Sequence, residues 1–127
     1  MKSRTHEPAS GIEAFCPRFH RAVELIGRRW TGAIIRVLLA GPQRFNELAA
    51  AVPGMSDRLL AERLRELETE NVVRRDVSNG PPVRVAYALT EAGRELEATI
   101  RMLGSWAERW VPQSNGRSRP RAIKTKS

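Results

Sequence analysis

Cysteine, histidine and aromatic residues are scarce in this chain, and each scarcity removes a class of function. One cysteine, Cys16, and two histidines, His6 and His20, stand among 127 residues. A disulfide within the chain is therefore impossible, and so is a cysteine-based zinc site; two scattered histidines do not make a metal cluster either. No metal or cofactor is expected. There is no Gly-rich phosphate loop, no Gly-x-Ser-x-Gly turn and no matched Ser/His/Asp set. Cys16 as a catalytic nucleophile has no identifiable base, so no enzyme chemistry is expected. No apolar run is long enough to span a bilayer, and the opening Met1-Lys2-Ser3-Arg4-Thr5-His6-Glu7-Pro8 lacks the apolar core of a signal peptide. The expectation is a cytoplasmic protein with no membrane partner.

Acidic residues are outnumbered, and the formal net charge is +8. That excess is mostly not in the body of the chain. The segment after Val111 carries Arg117, Arg119, Arg121, Lys124 and Lys126 with no acid, a net of +5. Residues before Gly11 contribute +1, which leaves +2 for the rest. A nucleic-acid partner must therefore be argued from where arginines sit, not from overall basicity. At this length one domain with a modest core is expected. The expected organisation is a loose N-terminal arm over 1–12, a folded domain over 13–111 and a disordered basic tail over 112–127.

What the chain does contain is centred on Ser56-Asp57-Arg58-Leu59-Leu60-Ala61-Glu62-Arg63-Leu64-Arg65-Glu66-Leu67. The turn residues Pro53-Gly54-Met55 precede Ser56, which can cap a helix by accepting a backbone N–H. Leu60, Leu64 and Leu67 recur at helical spacing and make one apolar stripe, widened by Leu59. At 100° per residue Arg58, Ala61, Glu62 and Arg65 fall on the opposite side. A helix bolted to a core by leucines and showing arginines outward suits a DNA major groove, because Arg grips guanine O6 and N7 in a bidentate way.

The flanking segments fit that use. A first helix is expected from Pro17 to Ile26, with Phe19, Val23 and Ile26 on one face and Gly27 ending it. Arg28-Arg29-Trp30 leads into a second helix capped by Thr31, with Ile34, Ile35, Leu38 and Leu39 inward and Gly41-Pro42 as its stop. Two arginines at a helix entrance oppose the dipole preference, a mismatch that makes sense if they reach phosphate. Arg44-Phe45-Asn46-Glu47-Leu48 opens a short third helix to about Val52, anchored by Phe45. Two short helices joined by a Gly-containing turn are a helix-turn-helix arrangement. From Val72 the period changes to two. Val72–Val77 and Val83–Leu89 flank Ser78-Asn79-Gly80-Pro81-Pro82, a hairpin with its Val83, Val85, Tyr87 and Leu89 face inward. Arg74, Arg75 and Arg84 would lie on this wing. Thr90 caps one long final helix to about Trp110. Its Leu96, Ile100, Leu103, Trp106 and Trp110 band is too wide for a small domain to cover, which points to a partner surface. The expected fold class is mainly α with a small β-hairpin wing, a winged helix-turn-helix.

With these motifs in place the chain resembles the HxlR-type transcriptional regulators within the wider MarR-like winged-helix group. The resemblance rests on Cys16-Pro17, on Leu25-Ile26-Gly27-Arg28-Arg29-Trp30-Thr31, on Arg44-Phe45-Asn46-Glu47-Leu48 and on Met55-Ser56-Asp57-Arg58 through Leu64-Arg65-Glu66-Leu67-Glu68. Pro82, Val85, Tyr87, Leu89, Thr90 and Gly93 complete it. It covers about residues 16–110 and implies a winged helix-turn-helix dimerised through its first and last helices, a homodimer on a double-stranded, inverted-repeat operator. Asp57 departs from the neutral Gln frequent at that place, and the tail after Val111 lies outside the resemblance. Arg58 and Arg65 are expected at base edges, with Ser56, Asp57, Ala61 and Glu62 tuning the choice. Arg28, Arg29, Arg44, Arg74, Arg75 and Arg84 are expected on phosphates. Phe19, Val23, Leu96, Ile100, Leu103, Trp106 and Trp110 are the expected dimer contacts.

Cys16 is the regulatory candidate. It stands beside a helix N-terminus, where the dipole favours negative charge, and some family members with a cysteine here sense oxidants or electrophiles. An oxidant effector is thus one expectation. A second reading keeps Cys16 inert and places a small aromatic effector near Trp30, Trp106 or Trp110. A third uses the winged helix for protein interaction without DNA.

Overall fold

The protein is described by a computed structural model over residues 15–113. The N-terminal arm expected at 1–12 and all but the first two residues of the expected basic tail lie outside the described residues. The elements run α1 (Pro17–Ile26), α2 (Thr31–Leu38), β1 (Gln43–Arg44), α3 (Phe45–Ala51), α4 (Asp57–Thr69), β2 (Val73–Val77), β3 (Val85–Leu89), α5 (Glu91–Arg94) and α6 (Glu97–Trp110).

α4 forms as the leucine spacing requires. Ser56 is its N-cap, and the Ser56 Oγ accepts the Leu59 N–H at 3.1 Å. Leu60, Leu64 and Leu67 are at most 1% exposed. They meet Ile34, Ile35 and Leu38 of α2, Leu48 and Val52, and the sheet residues Val73 and Leu89 in one core. Each such buried side chain contributes roughly 1.5–3 kcal/mol. Gly54 opens the α3–α4 turn at φ +95°, a left-handed conformation that side chains resist. The Trp30 ring lies against the space its missing side chain leaves. Phe45 packs on the edge of the core, while Leu48, at 0% exposure, is the true anchor of α3.

Three details depart from the sequence expectation. Thr31 does not cap α2. Trp30 is the N-cap residue, in the left-handed region at φ 78°, and Thr31 is the first helical residue, 1% exposed with an unpartnered hydroxyl. The Thr31 N–H closes the turn onto the Arg28 carbonyl instead, at 3.0 Å.

The wing is a three-stranded antiparallel sheet in the order β1-β3-β2, not a lone hairpin. β1 is two residues long, so it has no alternation to detect; pairing of Gln43 with Tyr87 and Arg44 with Ala86 creates it. Val83 lies before the start of β3 and is 66% exposed, outside the core face expected for it.

The last helix is broken in two. Thr90 does cap α5, its Oγ1 accepting the Gly93 N–H at 3.0 Å and donating to the Asn71 carbonyl at 2.6 Å. A methyl group on Gly93 would overlap the Val72 carbonyl oxygen, so glycine lets α5 press onto the sheet. The chain then turns through a Leu96 N–H to Gly93 carbonyl bond, three residues back, before α6 begins. Among the described residues no helix is long and apolar enough to cross a membrane.

Candidate nucleic-acid interface

The outer face of α4 carries Arg58 and Arg65, both exposed, with Ala61 half-buried between them. Asp57 sits in the first turn, at the end of the helix where its dipole favours an acid. These positions follow from the burial of the leucines, since the stripe that faces the core fixes which side chains face away.

Arg63 was not singled out by the sequence, yet it holds this helix in place. It is 8% exposed; its Nε donates to the Arg29 carbonyl at 2.9 Å, and a terminal nitrogen meets Glu66 at 3.2 Å. Glu66 also takes Arg28 Nε at 3.3 Å. The α1–α2 turn is thus tied to the middle of α4 by a buried guanidinium and a shared carboxylate. The signal was present in the spacing, because Arg63 lies between the inward Leu60 and Leu67 at intervals of three and four. Farther along, Arg21 of α1 donates to Glu70 at 2.6 Å, and this hydrogen bond, with the Glu70 charge, raises Arg21 above its ordinary pKa. A cleft of about 450 Å³ between α1 and α4 is lined by Arg21, Arg28, Glu66 and Glu70 with Glu24, Glu62 and Arg65.

The arginines expected on phosphates divide into engaged and available side chains. Arg28 is turned back onto Glu66, which weakens its expected role. Arg29 is exposed, with its guanidinium 5.1 Å from the centre of the Trp30 ring. Arg74 is also engaged, pairing with Asp76 at 3.0 Å and donating to the Leu89 carbonyl at 3.3 Å. Arg44, Arg75 and Arg84 are exposed. Arg75 is the cross-strand partner of Tyr87. Arg84 closes the wing loop through its backbone, accepting from the Ser78 N–H at 2.8 Å and donating to the Ser78 Oγ at 2.9 Å.

The expected dimer contacts also divide. Phe19 and Val23 of α1 and Leu103, Trp106 and Trp110 of α6 are each more than half exposed, joined by Phe15 and Met102. Ile100 is 4% exposed and belongs to the core, while Leu96 is half-buried against that core. Helical phase explains this, because Ile100, Leu103, Trp106 and Trp110 are spread over a wide arc of α6 and only part of that arc can face out. Cys16 is a half-buried free thiol at the N-cap of α1, whose carbonyl accepts the His20 N–H at 2.9 Å. The expected aromatic effector site draws on Trp30, Trp106 or Trp110. Neither the α1–α4 cleft nor a second of about 410 Å³ between α2 and α6 includes any of them.

The profile of the HxlR-like helix-turn-helix family matches residues 25–115. The chain belongs to this family. It is 46% identical to YvaP, an HTH-type transcriptional regulator of Bacillus subtilis strain 168, over 78% of this chain and 92% of that one. It is 44% identical to YodB, a second HTH-type transcriptional regulator of that bacterium, over 75% of this chain and 85% of that one. The fold superposes on the reduced form of YodB with a TM-score of 0.71 at 43% identity, over 76% of this chain and 95% of that structure. It superposes on the oxidised form of the redox regulator HypR with a TM-score of 0.71 at 35% identity, over 77% of this chain and 100% of that structure. The family is one of helix-turn-helix transcriptional regulators, and this chain is a regulator of that type with a winged-helix fold.

Proposed function

We propose that the protein acts as a homodimer that binds an inverted-repeat operator in double-stranded DNA, with α4 in the major groove and the wing on the adjoining backbone. The observation that carries the reading is the outer face of α4, where Arg58 and Arg65 stand exposed opposite leucines that are fully buried. Arg29, Arg44, Arg75 and Arg84 hold the register through phosphate contacts. Two such helices in a dimer engage half-sites about one turn apart, ~34–36 Å. The apolar faces of α1 and α6 form the dimer contact through Phe19, Val23, Leu103, Trp106 and Trp110. Arg58→Ala tests the reading: it lowers affinity for the operator by roughly 1–3 kcal/mol and relaxes one base-pair preference. Unchanged operator affinity at fixed salt would show that this face does not read DNA.

A redox response through Cys16 has its own support. YodB has been solved reduced, diamide-treated and quinone-bound, and HypR both reduced and oxidised. Cys16 is the single thiol of this chain, so its oxidation products are an adduct or a bond to another molecule. Mass spectrometry under mild oxidant, set beside operator binding by Cys16→Ser, tests it. No adduct and an identical DNA response in the two proteins would leave Cys16 without a regulatory role.

A further inference from the structure

Two carboxylates lie in the first two turns of α4, Asp57 and Glu62. Glu62 is half-buried on the α1 side, lining the α1–α4 cleft with its Oε1 4.0 Å from the Arg63 guanidinium. Asp57 is exposed in the first turn, and among the described residues no hydrogen bond or ion pair engages its side chain. The ion pairs that hold α4 thus leave one free carboxylate beside Arg58 at the end of the helix that enters a groove.

A carboxylate brought against a duplex is repelled by phosphate and loses its water. The helix dipole offsets part of this. The remainder is offset only by a hydrogen-bond donor on a base edge, since an ionised carboxylate can only accept. In the major groove the donors are the exocyclic amines of cytosine and adenine; guanine O6 and N7 and thymine O4 are acceptors that repel it. Adenine sets its N7 acceptor next to its amine, whereas cytosine presents the amine alone.

We propose that Asp57 is a specificity-determining residue that selects cytosine through its N4 amine, in the same half-site as a guanine gripped by Arg58. The inference rests on α4 being the base-reading helix. Asp57 acts mainly by rejection: guanine and thymine leave its carboxylate dehydrated and unpaired, and adenine sets its N7 acceptor against the carboxylate beside the amine.

The test is selection from a randomised duplex pool by full-length wild type, Asp57→Asn, Asp57→Ala and Arg58→Ala, each first checked for an unchanged melting temperature. Wild type is expected to prefer cytosine at one position of each half-site by roughly tenfold. Asp57→Asn keeps the rest of the motif and shifts that position toward adenine, whose N6 and N7 suit an amide. Asp57→Ala leaves the position without preference, and Arg58→Ala loses a guanine while the cytosine remains. An unchanged motif in both Asp57 variants overturns the proposal, and so does a loss of affinity that is equal on all sequences. A wild-type protein that enriches no motif instead overturns the base-reading role of α4.

Discussion

Arg63 is the residue on which the pose of α4 depends most. Its guanidinium reaches two groups at once, the Arg29 carbonyl and the Glu66 carboxylate, from a site that is almost closed to water. Removing it strands the Arg29 carbonyl and leaves the half-buried Glu66 carboxylate with Arg28 alone. Arg63→Ala is expected to lower folding stability by about 1–3 kcal/mol, read as a fall in melting temperature. Arg63→Lys should recover little of that, because an ammonium cannot present the planar fork. A wild-type melting temperature in Arg63→Ala would remove the tie from the account. Gly93 offers a second test at the same scale. The methyl group of Gly93→Ala has no room beside the Val72 carbonyl, and about 1–3 kcal/mol of stability is expected to be lost in urea denaturation.

At the scale of elements, α4 and the wing have separate duties. On the proposed reading Arg58 faces bases, so its loss should depend on sequence. Arg75 and Arg84 are exposed on the wing, and replacing either by alanine should weaken binding to every duplex alike and flatten the salt slope by ~1. Binding isotherms over a salt series separate the two patterns. Which parts of this were legible beforehand follows from the range of the forces involved. The α1 bounds, the Ser56 and Thr90 caps and the inward Leu60, Leu64 and Leu67 are set by neighbours within one or two turns, and they could be read from spacing. β1 exists only because Gln43 and Arg44 pair with β3, and Arg28 points to Glu66 only because α4 packs beside that turn. Thr31 has the residue type of a cap, but the chain enters α2 through Trp30 in a left-handed conformation that favours glycine, which no local pattern announces. The face of α4 was readable as a pattern; which of its charges are already spent on partners was not.

At the scale of the whole molecule, the arrangement leaves a large apolar surface on α1 and α6 that the described residues do not cover. An inverted-repeat operator needs two copies of α4 in fixed relation, and this surface is the means we assign to it. Trp106→Asp combined with Leu103→Asp is expected to give a folded monomer in sedimentation, with unchanged helical circular dichroism and no tight binding to a two-half-site duplex. A variant that stays dimeric would move the interface elsewhere. The most direct test of the central claim remains the exposed arginine face opposite the buried leucines. It is the affinity of wild type and Arg58→Ala for a selected operator and a scrambled duplex, all at one salt concentration. Wild type should favour the operator, and Arg58→Ala should lose roughly 1–3 kcal/mol on the operator with little change on the scrambled duplex. Equal affinities of the two proteins for both duplexes would contradict it.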